Sequence, residues 1–165
     1  FSNAAIVVAC QPCDYGSDQP LAGIEFQRRL ERDAFAAGGG DWRAPAQSLG
    51  DFLAGRASTG LLPNSSYRLG VVPADLRAIL PEFVTMALRA AFHRWRHEHP
   101  LFVADQAILF GSETRTSAPV RIRRNEDGQA AGITGLYPIG EGAGYAGGIT
   151  SSAVDGIKAV ARSLG

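Results

Sequence analysis

The chain has 165 residues, 45% of them hydrophobic and 19% charged, a globular composition that argues against wholesale disorder. Lysine plus arginine and aspartate plus glutamate both number 16, so the formal net charge is zero and gives no electrostatic reason to expect nucleic acid or an anionic membrane as a partner. No apolar run reaches the ~18 residues that a bilayer span needs.

The beginning of the chain and its cysteines bear on cellular context. Phe1 stands at the first position in place of a methionine, and the first apolar segment has no basic flank, so we expect the chain to begin inside a longer protein rather than with a signal peptide. Cys10 and Cys13 are too few for the disulfide framework of a small secreted domain. We therefore expect a cytoplasmic location.

The first part of the chain predicts a strand and several helices. Residues 4–9 form a short apolar, β-branched run that is typical of a buried strand. A helix follows over residues 23–37, because Phe26, Leu30 and Ala34 repeat along one face. The other predicted helices cover residues 46–53, 74–80 and 82–97.

The helix over residues 82–97 has the clearest pattern. Val84 and Leu88 belong to its apolar stripe, and further apolar residues on both sides of the stripe predict burial between two layers. His93 and His97 lie four residues apart on this helix, a spacing that can hold a metal. The neighbouring arginines repel cations, so we predict no metal site.

The last part of the chain predicts strands over residues 106–110, 120–123 and 135–139 and a helix over residues 149–164. Arg121 and Arg123 share one face of the second of these strands, where we expect them to contact solvent or another lobe. The final helix is amphipathic, with Val154 and Ile157 on its apolar face.

A glycine-rich loop lies between the last strand and the last helix. Glycine has no Cβ, so the backbone can approach a ligand closely, and the following helix start offers N–H groups to an anion. Read literally, the loop satisfies G-x-G-x-x-G, but the returning strand with an acidic residue that completes a Rossmann unit is absent. The residues alone therefore leave a dinucleotide site and a tight structural turn both open. The loop glycines are Gly140, Gly142, Gly144, Gly147 and Gly148.

Two segments carry a resemblance to a known family. These are residues 113–121 (ETRTSAPVR) and residues 135–148 (GLYPIGEGAGYAGG), the latter followed by Asp155 and Gly156. The chain resembles the C-terminal portion of bacterial FAD-dependent dehydrogenases, flavoproteins of the two-dinucleotide-binding class. The resemblance covers nearly the whole chain.

The resemblance implies a mixed α/β (α+β) fold that combines part of a Rossmann-like FAD-binding domain with an inserted substrate lobe. Residues 1–111 would form the substrate lobe, with mixed helix and strand. Residues 112–165 would form the C-terminal segment that completes the FAD-binding domain. The N-terminal GxGxxG unit that binds most of the FAD in that class is absent from this chain.

The resemblance also implies which residues meet the cofactor. Gly140 and Glu141 would lie at the ribityl or pyrophosphate end, with Glu141 accepting hydrogen bonds from FAD hydroxyl groups. The helix start would face the pyrimidine edge of the flavin, where its dipole favours negative charge. Arg115 would face substrate or flavin and is our candidate for a catalytic residue. The implied cofactor-binding residues are Gly140, Glu141, Gly142, Gly144, Gly147, Gly148 and Ile149.

These observations lead to a principal hypothesis and two alternatives. The chain is expected to be the C-terminal part of an FAD-dependent oxidoreductase, whose partners are the remainder of its own parent chain and an unknown small-molecule substrate. One alternative is a folded, non-catalytic module that binds no cofactor alone. The other is a thiol-redox protein that uses Cys10 and Cys13, although no helix pattern follows Cys10-Gln-Pro-Cys13 as it does in thioredoxin-like redox sites.

Overall fold

The computed structural model describes residues 2–164. Among these residues, no helix combines the length and the apolar composition needed to cross a membrane. The expected mixture of helices with strands is confirmed, and the fold is α+β. Short 3-10 helices cover Pro12–Tyr15 and Leu76–Ala78. The other elements in chain order are α1 (Ala22–Ala37), β1 (Ala44–Ser48), α2 (Leu49–Ala54), β2 (Val71–Pro73), α3 (Glu82–Glu98), β3 (Ile108–Phe110) and α4 (Ile149–Leu164).

The described chain divides into two compact units. The first unit contains the residues up to 11 and residues 28–113, and the second contains residues 12–27 and those from 114 onward. The chain changes unit after residue 113, and residues 12–27, which lie within the predicted lobe of residues 1–111, belong to the second unit. The boundary expected after residue 111 stays a prediction. The roles assigned to the two segments, substrate lobe and FAD-completing segment, stay predictions.

A three-stranded sheet in the first unit has the order β2-β1-β3. β1 pairs in parallel with β2, with Ala44 opposite Val71. It pairs antiparallel with β3, with Ala46 opposite Phe110. The strand predicted over residues 106–110 is therefore confirmed in its second half, where β3 lies.

The chain passes directly from β1 into α2. Ser48 caps the helix, because its side chain accepts a hydrogen bond from the Asp51 N–H at 3.1 Å. Gly55 ends the helix in the left-handed conformation with φ 74°. The helix predicted over residues 46–53 is correct only from Leu49, because the preceding residues form the central strand.

The hydrophobic core of the first unit forms around α2 and α3. The rings of Phe52 and Phe92 meet edge to face with their centroids 6.2 Å apart, and both residues are almost completely buried. Burying one such ring contributes about 1.5–3 kcal/mol. The buried cluster consists of Ala34, Leu49, Phe52, Leu53, Leu76, Ile79, Phe92 and Val103.

The two long predicted helices of the first part of the chain are confirmed as α1 and α3. In α1 the predicted stripe of Phe26, Leu30 and Ala34 is buried. In α3 the expected burial between two layers is wrong. Phe92 is buried, but Met86 is 64% exposed, so residues 2–164 cover the helix on one face only.

Several short predicted elements are absent from the part of the chain that the structure describes. Residues 4–9, 120–123 and 135–139 form no strand, and the helix predicted over residues 74–80 is reduced to one 3-10 turn. A strand requires a neighbour for its backbone groups. In the second unit, the backbone of the predicted strand over residues 120–123 bonds to a turn instead. The Ile122 N–H donates to the Ala143 carbonyl at 3.2 Å.

α4 has the predicted bounds, but its apolar stripe does not pack against the rest of the second unit, to which the helix belongs. Val154 is 42% exposed and Ile157 is 70% exposed. The buried side carries small or polar residues instead, with Ala159 only 4% exposed and Asp155 half-buried. The helix therefore presents an apolar face that the described residues leave uncovered.

Gln47 is a polar residue at the centre of the first unit. It lies in β1 with no solvent-exposed surface, at 0% exposure. Its amide donates to the Arg56 carbonyl at 2.7 Å and accepts from the Leu76 N–H at 2.9 Å. These bonds connect the sheet to the segment after α2 and to the 3-10 turn. They also satisfy backbone groups that would otherwise be buried without partners.

We predict that Gln47→Leu destabilises the chain although it adds apolar volume to the core. Leucine leaves the Leu76 N–H and the Arg56 carbonyl without their partner, at a cost of about 1–3 kcal/mol for each buried group left unpaired. Urea denaturation followed by circular dichroism measures the change. Gln106→Leu at an exposed position is the matched control, and equal midpoints for the two variants would contradict the role of Gln47.

Candidate functional site

The glycine loop of the second unit is a closed turn. The Tyr145 N–H donates to the Gly140 carbonyl at 3.0 Å, and the Gly144 N–H donates to the Glu141 carbonyl at 2.8 Å. Gly144 has φ 82°, in the left-handed region. This nested pair of bonds around a left-handed glycine is the arrangement that ends many helices. Residues 140–145 are called the glycine turn below.

Gly140 and Gly144 are required by the fold of the glycine turn itself. Both have positive φ, which a residue with a Cβ adopts only with strain. A Cβ at Gly144 would lie 2.5 Å from the Val120 carbonyl oxygen, and one at Gly140 would lie 3.4 Å from Ser152 Cβ. At these two positions the chain's own packing explains why glycine is present.

Gly142 and Gly147 differ from these two glycines. Neither has a positive φ, and a Cβ at either position would meet no atom of the described chain within 4 Å. A Cβ at Gly148 would meet only Ser151 Oγ, at 3.6 Å. Glycine loses more backbone entropy on folding than alanine, so glycine at these positions lowers the stability of the fold. The described chain gives no structural reason for this choice.

Backbone donors lie beside these open glycines. The N–H groups of Glu141, Gly142 and Ala143 find no acceptor in the part of the chain that the structure describes. α4 begins after Gly148, whose carbonyl accepts the first helical bond from the Ser152 N–H at 2.9 Å. Consecutive N–H groups in a turn, followed by a helix start, form a surface that suits an anion or an electron-rich carbonyl.

An ion pair holds the glycine turn against α4. The Asp155 carboxylate accepts a hydrogen bond from the Gly140 N–H at 2.8 Å and receives the Arg124 guanidinium at 3.1 Å. The Arg124 and Asp155 side chains are only 13% and 16% exposed. The same guanidinium also donates to the Pro138 carbonyl at 3.1 Å.

These contacts lower the pKa of Asp155 below its ordinary value. The hydrogen bond from the Gly140 N–H is the largest cause, and the Arg124 guanidinium acts in the same direction, while burial partly opposes both. The carboxylate is therefore held in its charged form. In that form it accepts hydrogen bonds most strongly.

Tyr145 forms the second part of this support. The Arg124 guanidinium carbon lies 3.4 Å from the centroid of the Tyr145 ring, a cation–π stack. The Tyr145 hydroxyl accepts from the Arg124 N–H at 3.1 Å and donates to the Ile122 carbonyl at 2.9 Å. Arg121 is exposed to solvent, as expected, and its Nε also donates to the Gly144 carbonyl at 2.9 Å.

The predicted catalytic residue Arg115 lies on an exposed segment of the same unit. Gln27 of α1 holds this segment, because its amide donates to the Thr114 carbonyl at 2.8 Å. α1 also packs closely at Gly23, where a Cβ would lie 2.6 Å from Pro119 Cβ. The structure thus fixes the backbone around Arg115, while the role of Arg115 stays a prediction.

The structure brings the predicted cofactor-binding residues together only in part. Residues 140–144 form one turn in which Glu141 is half-buried, and Gly147, Gly148 and Ile149 lead into α4, with Ile149 94% exposed. Sequence reasoning missed Arg124 and Tyr145 and named Asp155 only as part of a motif. A signal existed for Asp155, since it is the one acidic residue in the sequence of α4.

The other sequence candidates lie away from the glycine turn in the chain. Cys10 and Cys13 are both present as thiols, and Cys13 lies in the 3-10 helix Pro12–Tyr15. His93 and His97 are exposed near the end of α3. Within residues 2–164, no group of three or more histidine, cysteine, aspartate or glutamate side chains is arranged to hold a metal ion.

A bare glycine turn that leads into a helix start is typical of proteins that bind a phosphorylated cofactor. The family described as "FAD-dependent protein, C-terminal domain-like" matches residues 1–116. The chain belongs to this family of FAD-dependent protein C-terminal domains, as the resemblance predicted. The glycine turn itself lies beyond the matched residues.

A relative from Clostridium beijerinckii (strain ATCC 51743 / NCIMB 8052), titled "Uncharacterized protein", is 46% identical over 160 residues. This similarity covers 95% of the chain and therefore extends past the residues matched by the family. The chain spans 30% of the length of that relative.

We predict that Asp155 contributes to acid unfolding. Its folded-state pKa lies below the unfolded value of about 3.9. The contribution of Asp155 to stability is therefore fully present above that pH and is lost as the pH falls through the folded-state pKa. Unfolding free energies of the wild type and of Asp155→Asn, measured by urea denaturation between neutral pH and pH ~3, should converge at low pH. A difference between them that does not change with pH would contradict this prediction.

Proposed function

We propose that this chain is the C-terminal part of an FAD-dependent oxidoreductase, in which the glycine turn and the start of α4 close over the cofactor. FAD, when bound, supplies the transfer of hydride or electron pairs. This chain's residues bind and orient the cofactor and shield it from water. The membership in a family of FAD-dependent proteins supports this proposal.

The open glycines Gly142 and Gly147 are the observation that carries the proposal. The described chain requires no glycine at either position, since the surrounding space is empty and φ is ordinary. If a flat or phosphorylated ligand lies on the backbone, a Cβ at these positions would collide with it, and this explains the glycines. The residues present therefore fit a cofactor such as FAD.

Backbone donors would supply the polar contacts. The N–H groups of Glu141, Gly142 and Ala143 point to no acceptor among the described residues, and they suit pyrophosphate or ribityl oxygens. The α4 start would meet the pyrimidine edge of the flavin, where its partial positive charge would stabilise the anionic reduced ring. Glu141 would accept hydrogen bonds from FAD hydroxyl groups.

The remaining roles concern the substrate and the parent chain. Arg115 would face substrate or flavin from its exposed segment, and residues 1–111 would form the substrate lobe. The exposed stripe with Val154 and Ile157 on α4 would pack against the remainder of the parent chain, because burying apolar surface is favourable. Residues 112–165 would thereby complete a Rossmann-like FAD-binding domain.

We predict that Gly142→Ala in the full-length flavoprotein weakens FAD binding without destabilising the apoprotein. The added methyl fits the described chain and restricts the unfolded state, so apoprotein stability should stay equal or rise by about 0.4–1 kcal/mol. The same methyl would intrude on the cofactor at a cost of about 1–3 kcal/mol. Flavin fluorescence titration and thermal unfolding measure the two effects separately.

Gly144→Ala provides the contrast to this variant. Its Cβ would collide with the Val120 carbonyl oxygen at a left-handed position, so apoprotein stability itself should fall. If Gly142→Ala bound FAD as tightly as the wild type, the cofactor would not lie on the glycine turn.

We predict that Glu141→Ala weakens FAD retention. Losing hydrogen bonds from cofactor hydroxyl groups to a charged carboxylate costs about 1.5–3 kcal/mol, which is tenfold or more in affinity. Glu126→Ala removes an exposed carboxylate from another turn of the same unit and is the matched control. Visible absorption of the purified variants reports their flavin content, and full occupancy in Glu141→Ala would rule out the proposed contact.

A further inference from the structure

We infer that Arg124 and Asp155 are positioning residues that fix the glycine turn in its cofactor-binding form and thereby set the affinity for FAD. This inference rests on the proposed function, because it concerns the same turn. Neither side chain is assigned to the cofactor itself. Both act through Gly140, the first residue of the turn.

The geometry directs the carboxylate at the backbone of the turn. Asp155 lies in the second helical turn of α4 and accepts the Gly140 N–H at 2.8 Å. The same carboxylate receives the Arg124 guanidinium through contacts of 3.1 Å. The position of Gly140 is thus tied both to the helix whose start would meet the flavin and to the segment before the turn.

The guanidinium is fixed from several directions. Its carbon lies 3.4 Å from the Tyr145 ring centroid, and Tyr145 is the residue whose N–H closes the glycine turn on the Gly140 carbonyl. Arg124 also donates to the Pro138 carbonyl at 3.1 Å, two residues before the turn. One planar cation therefore contacts the chain before the turn, the last residue of the turn and the helix after it.

The role that this arrangement gives to the ion pair is to hold the backbone in one position. A partly buried pair has a desolvation cost that offsets much of its attraction, so the pair as a whole adds little stability relative to a well-packed apolar pair, although removing one partner alone is destabilising. Its directional bonds nevertheless select one backbone position. Ligand affinity depends on contacts held to within ~0.5 Å, so a small shift of Gly140 would displace the donors and the open glycine that follow it.

The affinity of the full-length apoprotein for FAD, measured by quenching of flavin fluorescence, tests the inference. Asp155→Ala should raise the dissociation constant at least about tenfold, the effect of losing one hydrogen bond to a charged group. Asp155→Asn keeps an oxygen for the Gly140 N–H, so its increase should be smaller. This partial rescue by a variant of equal shape separates positioning from a general loss of stability.

Arg124→Lys serves as a second variant if Asp155→Ala does not fold. Lysine keeps the charge near Asp155 but lacks the planar fork and its stack on Tyr145. Its dissociation constant for FAD should also rise, while the melting temperature of the apoprotein stays within a few degrees of the wild type. Unchanged affinity in Arg124→Lys would overturn the role of the guanidinium.

Asp75→Asn is the matched control. It removes the Arg77–Asp75 ion pair of the first unit, whose side chains are 30% and 26% exposed. This variant should lower the melting temperature without changing FAD affinity. A rise in its dissociation constant equal to that of Asp155→Ala would show that general destabilisation, not positioning, weakens binding.

The two proposals fail in different ways. If Gly142→Ala weakens FAD binding but Asp155→Ala binds FAD within about twofold of the wild type, the positioning role is wrong and the proposed function stands. If neither variant changes the dissociation constant, FAD does not lie on the glycine turn, and both proposals are wrong. If both variants weaken binding while Asp75→Asn does not, both proposals are supported.

Discussion

One carboxylate organises the second unit. Asp155 accepts the Gly140 N–H and the Arg124 guanidinium within about 3 Å, in a part of the described chain that contains no extended sheet. Residues 114–148 have turns and one isolated bridge, between Arg124 and Ala130, where a Rossmann-like layer would have strands. No strand ladder fixes this backbone. The glycine turn is held instead by backbone bonds within turns and by side chains, among them the ion pair with its stacked Tyr145.

Two surfaces of the second unit are incomplete within the described residues. The open glycines present bare backbone with empty space beside it, and α4 presents Val154 and Ile157 to solvent. Under the proposed function, one surface would meet the cofactor and the other would pack against the remainder of the parent chain. The chain spans 30% of the length of its Clostridium relative.

The sequence predicted long periodic helices well and short strands poorly. α1, α3 and α4 were predicted because each repeats its apolar residues over several turns, a signal that is local. The run at residues 4–9 has ideal strand composition but no pairing partner among the described residues, whereas Ala44–Ser48 (APAQS) has poor composition and forms the centre of the sheet. Pairing decides strands, and pairing is not local. Pro45 is tolerated in this central strand, where its carbonyl still accepts the Gly111 N–H.

The sequence by itself determined the family and the location of the glycine turn, since both depend on residue types at fixed spacing along the chain. The tertiary structure alone decided which glycines the fold requires. Glycine is required at position 144, because a Cβ there would collide with the Val120 carbonyl oxygen, whereas nothing in the described chain requires glycine at position 142. Tertiary structure also joined Arg124 to Asp155 across 31 positions of sequence. No periodicity reports such a contact, because it depends on how turns without regular structure bring distant segments together.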